Sequence, residues 1–172
     1  ACGVAHGVGV GNGMDAIEIA LRALDIGPGD EVVTTTMTAF ATVLAILRAG
    51  ATPVLADIDA DTGILGMDSV QRCISAKTKA VVLVHLYGQV RGMAGWVEMC
   101  RRNKIELIED CAQAFEATYR GQKVGSIGDI GCFSLQQGKH ITTGEGGLTV
   151  TNNDAYARHI YLFINKAWGY GD

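Results

Sequence analysis

Lys139 lies in FSLQQGKHITTGEGG, residues 133–147, with no other lysine, arginine or carboxylate between Asp129 and Glu145. A lysine on a solvated face usually has charged neighbours. One set among glycine, threonine and glutamine just after an apolar run suits nucleophilic or acid–base work as well as solvation. Two other groups could share that work. Asp110 follows the apolar run IELIE, and GVGNGMD, residues 9–15, leads from an apolar segment toward a helical pattern. Its glycines would let backbone N–H groups close on an anion at a helix N-terminus.

These groups need elements to hold them. Apolar runs at Val32–Thr35, Pro53–Ala56, Ala80–His85, Ile105–Glu109, Gly131–Leu135 and Leu148–Thr151 read as strands. Between them, Asp15–Leu24, Thr38–Ala49, Asp68–Ala76, Gly92–Asn103 and Asp154–Lys166 carry helical period. Strands alternating with helices predict an α/β fold with a mainly parallel sheet. Gly27, Pro28 and Gly29 are expected to stop the first helix and Gly50 to cap the second. In open parallel sheets ligands bind beyond the carboxyl ends of the strands, where Asp110, Ser134 and Lys139 all fall.

Composition removes several function classes. The 172 residues suffice for one domain with a core, since chains of this size bury roughly 70% of their unfolded surface. With 14 Lys plus Arg against 18 Asp plus Glu, the chain offers no basic stripe for nucleic acid. No apolar run reaches the roughly 18 residues of a membrane span, and the N-terminus lacks the order of a signal peptide. A cytoplasmic protein is expected. Cys2, Cys73, Cys100, Cys111 and Cys132 are scattered, and His6, His85, His140 and His159 share no ligand spacing with them, so no metal site is expected. Glycine, at 23 residues, is roughly double its usual share, which signals tight turns and close backbone approaches. Both ends look cut: Ala1 enters directly into an apolar-glycine segment and the chain stops at NKAWGYGD.

GNGMDA also fits G-x-G-x-x-A, the loose form of a dinucleotide-binding turn. That fingerprint wants an acidic residue closing the second strand. Here Glu31 opens it and Thr34, Thr35 and Thr36 follow, so a structural turn and an anion cradle stay the stronger readings. An amine for a Schiff base, a carboxylate that keeps a pyridine nitrogen protonated, and a phosphate cradle are together the parts that hold pyridoxal 5'-phosphate.

The segments GNGMDAIEIALRALDIGPGDEVV, PVLADIDADT, VHLYGQ and IELIEDCAQAFEATYRGQKVGSIGDIGCFSLQQGKHITTGEGG resemble the DegT/DnrJ type of sugar aminotransferase, pyridoxal-phosphate enzymes of the aspartate-aminotransferase fold, nearly end to end. The resemblance implies a three-layer sandwich, with residues 1–172 forming part of the large cofactor-binding domain of fold type I and the small C-terminal domain absent. It implies Lys139 as the Schiff-base lysine and Asp110 as the partner of the pyridine nitrogen. Gln113 would sit near the cofactor's phenolic oxygen, and Ser134 would reach the phosphate with the backbone of Gly13 and Met14. Relatives commonly carry Thr or Ser where Met14 stands, so one hydroxyl is lost. At Thr38-Ala39 many carry an aromatic that stacks on the ring. Met37 is favoured to cover that face over Phe40, which at a helix start is expected to pack in the core. Asn165 falls where relatives often have an asparagine that reaches the neighbouring subunit's phosphate, although Lys166 and Ala167 replace the usual His-Gly. His85 and Tyr87 read equally as substrate contacts or strand-end packing, and Glu145 as a turn residue before a substrate contact.

The implied reaction moves an amino group from glutamate or glutamine to a keto group of a nucleotide-linked deoxysugar or a related cyclic ketone, in a homodimer. A branch of the family replaces the lysine with histidine and dehydrates keto-deoxysugars, and Lys139 argues for transfer. A chain this short could instead be a catalytically incomplete piece.

Overall fold

The computed structural model describes residues 2–168; Ala1 and residues 169–172, on which the reading of cut ends partly rests, lie outside the described residues. Seven strands form one sheet: β1 (His6–Val10), β2 (Glu31–Thr35), β3 (Thr52–Ala56), β4 (Thr78–Val84), β5 (Glu106–Asp110), β8 (Ile130–Ser134) and β9 (Gly147–Thr151). They lie in the order β1-β9-β8-β5-β4-β2-β3, and β9 alone runs against the rest, antiparallel to β1 and to β8. A two-stranded hairpin, β6 (Thr118–Tyr119) and β7 (Gln122–Lys123), stands apart.

Alternation along the central strands builds the layers. Ala80 and Val82 of β4, with Ile108 of β5, face α1 (Gly13–Ala23), α2 (Phe40–Ala49) and α5 (Asp154–Ile164). Val81, Leu83 and Leu107 face α3 (Met67–Cys73) and α4 (Met93–Asn103) on the other side. A strand buried on both faces reads as a continuous apolar run because successive side chains point to opposite layers. The expected three-layer α/β sandwich is what forms.

Several boundaries differ from the expected ones. The strand β1 is read from sequence only as an apolar-glycine segment, since glycine weakens strand propensity; its ladder to β9 makes it a strand. The chain leaves α1 before the Gly27-Pro28-Gly29 cluster: Asp25 takes the left-handed conformation at φ 55°, and the Ile26 N–H closes on Leu21 O at 3.0 Å. This is a Schellman-type end without glycine. Gly50 caps α2 at φ 88°, as expected. Ile74 turns extended and ends α3 short of Ala76, and α5 ends at Ile164, before Lys166.

Candidate functional site

Register places β4, β5 and β8 side by side, with Val84 opposite Asp110 and Asp110 opposite Cys132. Their carboxyl ends therefore deliver His85, Asp110 and Ser134 to one edge of the sheet. Asp110 closes β5 with its carboxyl buried. Its Oδ2 accepts a hydrogen bond from Thr42 Oγ1 at 3.0 Å and its Oδ1 from the Ala112 N–H at 3.1 Å. Burial pushes its pKa above the ordinary carboxylate value, while the Ala112 amide, the Thr42 hydroxyl and the charges of His85 and Lys139 pull the other way.

Lys139 follows β8 through a turn in which its own N–H donates to Gln136 O at 2.9 Å. The side chain is half-buried, and its charge reaches the Asp110 carboxylate. Among the described residues no hydrogen bond or ion pair ties up its Nζ. The amine and the acid thus share one electrostatic environment from different strands.

The cradle is built at the start of α1. Asn12 caps the helix by accepting from the Asp15 N–H at 2.9 Å, and the Ala16 N–H bonds Asn12 O at 3.1 Å. That leaves the Gly13 and Met14 amides as the first-turn donors without a partner among the described residues. A Cβ on Gly13 would lie 2.6 Å from Ser134 Cβ, so only glycine lets the helix start sit on the end of β8. A Cβ on Gly147 would likewise collide with Asn12 O, which fixes β9 against the same loop. The Met14 side chain is partly buried against the core cluster, its Sδ 3.9 Å from Arg48 Nη1, and it carries no hydroxyl.

Gln113 accepts the Tyr87 N–H at its Oε1, 2.9 Å away. Tyr87 is 70% exposed and held at φ 56°, a left-handed conformation that costs a non-glycine residue energy and gathers at working sites. His85 is 2% exposed and its Nε2 lies 2.8 Å from Glu109 Oε2. Of its two readings, strand-end packing is the one this burial favours. Glu109 also accepts the Ile127 and Gly128 amides at 2.8 and 2.7 Å. Burial alone would raise its pKa, but the His85 hydrogen bond and charge together with the Gly128 amide outweigh it and hold the pKa below the usual value.

Other expectations fare differently. Phe40 is 69% exposed and does not pack in the core, because α2 buries the face carrying Thr42, Ala45, Ile46 and Ala49 and Phe40 lies off it; Met37 is exposed as well. The turn after Lys139 is held by Thr142 Oγ1, which accepts the Gly144 N–H at 2.9 Å, and by Thr143 Oγ1, which donates to Glu145 O at 2.7 Å. The Glu145 carboxylate holds no turn amide among the described residues. Instead Glu145 lines a cleft of about 750 Å³ with Gly11, Asp15, Arg48 and Phe163. Asn165 caps α5, its Nδ2 donating to Trp168 O at 2.9 Å, and is not drawn to Ser134 or Lys139. Sequence reasoning passes over Asn12, Thr42 and Glu109. Only Asn12 carries a local signal, an Asn three residues before an Asp at a helix start.

The donor set suits a phosphorylated pyridine aldehyde: two unpartnered amides and the Ser134 hydroxyl for the phosphate, a buried carboxylate for a protonated ring nitrogen, and an unpaired amine for the aldehyde. His85, Glu109 and Cys111 bring three candidate metal ligands together, but both Glu109 oxygens are engaged by His85 and backbone amides. No helix of the described residues is long and apolar enough to cross a membrane.

Comparisons with known proteins agree on one grouping. Residues 1–170 match the family described as DegT/DnrJ/EryC1/StrS aminotransferase. The chain is 48% identical over 150 residues to a UDP-N-acetyl-3-dehydro-alpha-D-glucosamine 3-aminotransferase of Acidithiobacillus ferrooxidans, covering 87% of this chain and 41% of that protein. It is 45% identical over 161 residues to a GDP-perosamine synthase of Caulobacter vibrioides, covering 94% and 43%. Among solved structures, an aminotransferase from Psychrobacter cryohalolentis superposes with a TM-score of 0.93 at 41% identity, over 95% of this chain and 42% of that one. The chain spans about two fifths of the length of these curated relatives.

Proposed function

The chain belongs to the DegT/DnrJ/EryC1/StrS aminotransferase family, and from that premise we propose that it carries the cofactor-binding part of a pyridoxal-phosphate-dependent sugar aminotransferase. Its substrates would be glutamate or glutamine as amino donor and a keto sugar, nucleotide-linked as in the relatives' names, or a related cyclic ketone. A homodimer would complete the site, with Asn165 facing a second copy. The five free thiols suit a reducing compartment such as the cytoplasm.

When bound, the cofactor supplies an aldehyde that accepts the amino group and a ring that takes up the electron pair released at the substrate carbon. The chain's own groups do the rest. The Gly13 and Met14 amides and Ser134 Oγ would hold the phosphate, assisted by the positive end of the α1 dipole. Asp110, as a carboxylate, would hold a proton on the ring nitrogen. Gln113, its Oε1 already taken by Tyr87, keeps Nε2 as a donor that would serve the phenolic oxygen. Lys139 Nζ would be the amine that holds the aldehyde, and, when not so engaged, the base and then acid that moves a proton between carbons.

The observation that supports this most is geometric: β5 and β8 pair side by side, so the buried Asp110 carboxyl and the strand end carrying Ser134, with Lys139 one turn beyond, share the sheet edge on which the Gly13 helix start sits. The test is to add pyridoxal phosphate, reduce with borohydride and map the modified peptide. The label should sit on Lys139 and disappear in Lys139→Ala. A label on other lysines, or none, overturns the assignment, and a panel of keto sugars with glutamate or glutamine then identifies the acceptor.

A further inference from the structure

The hydroxyls of Thr38 and Thr42 form a line that ends on the Asp110 carboxylate. Thr42 is 1% exposed, on the first turn of α2, and its Oγ1 lies 2.9 Å from Thr38 Oγ1 and 3.0 Å from Asp110 Oδ2. A threonine hydroxyl has one proton to give. When Asp110 is ionised it can only accept, so Thr42 must donate to it and Thr38 must donate to Thr42. When Asp110 is protonated that constraint lifts. The first turn of α2, whose N-cap Ala39 supplies no side-chain cap, adds the positive end of a helix dipole on the same side.

We propose that Thr42, oriented by Thr38, is a positioning residue that fixes the rotamer of Asp110 and keeps its carboxylate charged in a site that otherwise expels charge. Asp110 needs such help. The other ionisable groups around it are His85 and Lys139, which favour its charge, Glu109 on the same strand, Cys111 just after it and Cys132 on the neighbouring strand. The Ala112 amide holds only Oδ1, leaving rotation of Oδ2 to be stopped by Thr42. In the sequence this pair is invisible, since Thr42 and Asp110 are 68 residues apart.

The inference rests on Asp110 as the ring-nitrogen partner, yet its first measurement does not need the cofactor. The Asp110 carboxyl carbon is followed by NMR across a pH titration of the cofactor-free protein, for wild type, Thr42→Val and Thr42→Ser. Loss of one hydrogen bond to a charged acceptor should raise the Asp110 midpoint by about one to two pH units in Thr42→Val. Thr42→Ser, which keeps the hydroxyl, should return it to the wild-type value. Thr38→Val, which leaves Thr42 in place, should shift it in the same direction by less, and serves if Thr42→Val does not fold. A Thr42→Val or Thr38→Val midpoint equal to wild type overturns the proposal. In the loaded protein, the ring nitrogen followed by nitrogen-15 NMR should lose its proton at lower pH in Thr42→Val than in wild type. If the Asp110 midpoints move as expected but wild type takes up no cofactor, the positioning role stands and the aminotransferase assignment falls.

Discussion

Strand β5 carries acids at both ends, and the two ends behave differently. Glu106 opens the strand and Asp110 closes it. Both carboxyls are pushed above their ordinary pKa, in both cases first by burial. What surrounds them differs. Asp110 is met by groups that favour its charge: the Ala112 amide, the Thr42 hydroxyl, His85 and Lys139. Glu106 is met by a second carboxylate, Asp129, whose charge and hydrogen bond raise it further, while Tyr156 donates to it. One end is surrounded by groups that favour a negative charge, whereas at the other a second carboxylate opposes it. A raised pKa is therefore no mark of a site by itself, and the sign of the neighbours decides.

The largest expected effect comes from neutralising the charged end. Asp110→Asn should lower aminotransfer by about 10²–10³-fold, the cost of removing one electrostatic stabiliser from a water-poor site. Its stability should move the opposite way. A folded pKa above the unfolded one means that the native state holds the proton longer, so stability falls as pH rises from the ordinary value of 3.8. Asn removes that fall. Chemical denaturation of the cofactor-free protein at pH 7 should show the variant no less stable than wild type; marked destabilisation would mean that Asp110 is structural.

Between the two ends lies Glu109, and it sharpens the contrast because its pKa is lowered. Its carboxylate is fully buried yet bound by His85 and two amides. Removing one partner of such a pair leaves the other without compensation, so Glu109→Ala should cost about 3–5 kcal/mol. A depressed folded pKa contributes stability that is complete above the unfolded value, 4.5, and is lost as pH falls through the folded one. The gap between wild type and Glu109→Ala in denaturant midpoints should hold at neutral pH and narrow in acid. A gap that does not vary with pH would assign the loss to packing alone.

The run ELIED shows how far sequence reaches here. Three carboxylates in five residues have the same chemistry on paper, and position after a strand singles out Asp110. Nothing local tells that Glu109 is sealed by His85 from the strand beside it, or that Glu106 meets Asp129, because both partners arrive through sheet register. The layers are legible from alternating apolar runs, and Lys139, Ser134 and the Gly13 cradle from glycine and strand ends. Thr42 is not legible, since an α2 helix residue reaches Asp110 only after two crossovers stack the strands. Phe40 shows the reverse case. Its apolar side chain suggests a core position, yet α2 turns the face of Thr42, Ala45 and Ile46 inward and leaves Phe40 in solvent.

The smallest effect tests the quiet end of β5. Glu106 is half-exposed, so solvent screens much of the repulsion from Asp129. Glu106→Gln keeps a donor for Asp129, as protonated Glu106 would, and removes the charge. Since the folded pKa lies above the unfolded one, wild type loses stability as pH rises from 4.5, and the variant does not. At pH 7 the variant should be more stable by about 0.5 kcal/mol, with the difference vanishing in acid and aminotransfer unchanged. A fall in aminotransfer comparable with that of Asp110→Asn would break the comparison, because it would mean that both ends of the strand serve the same chemistry.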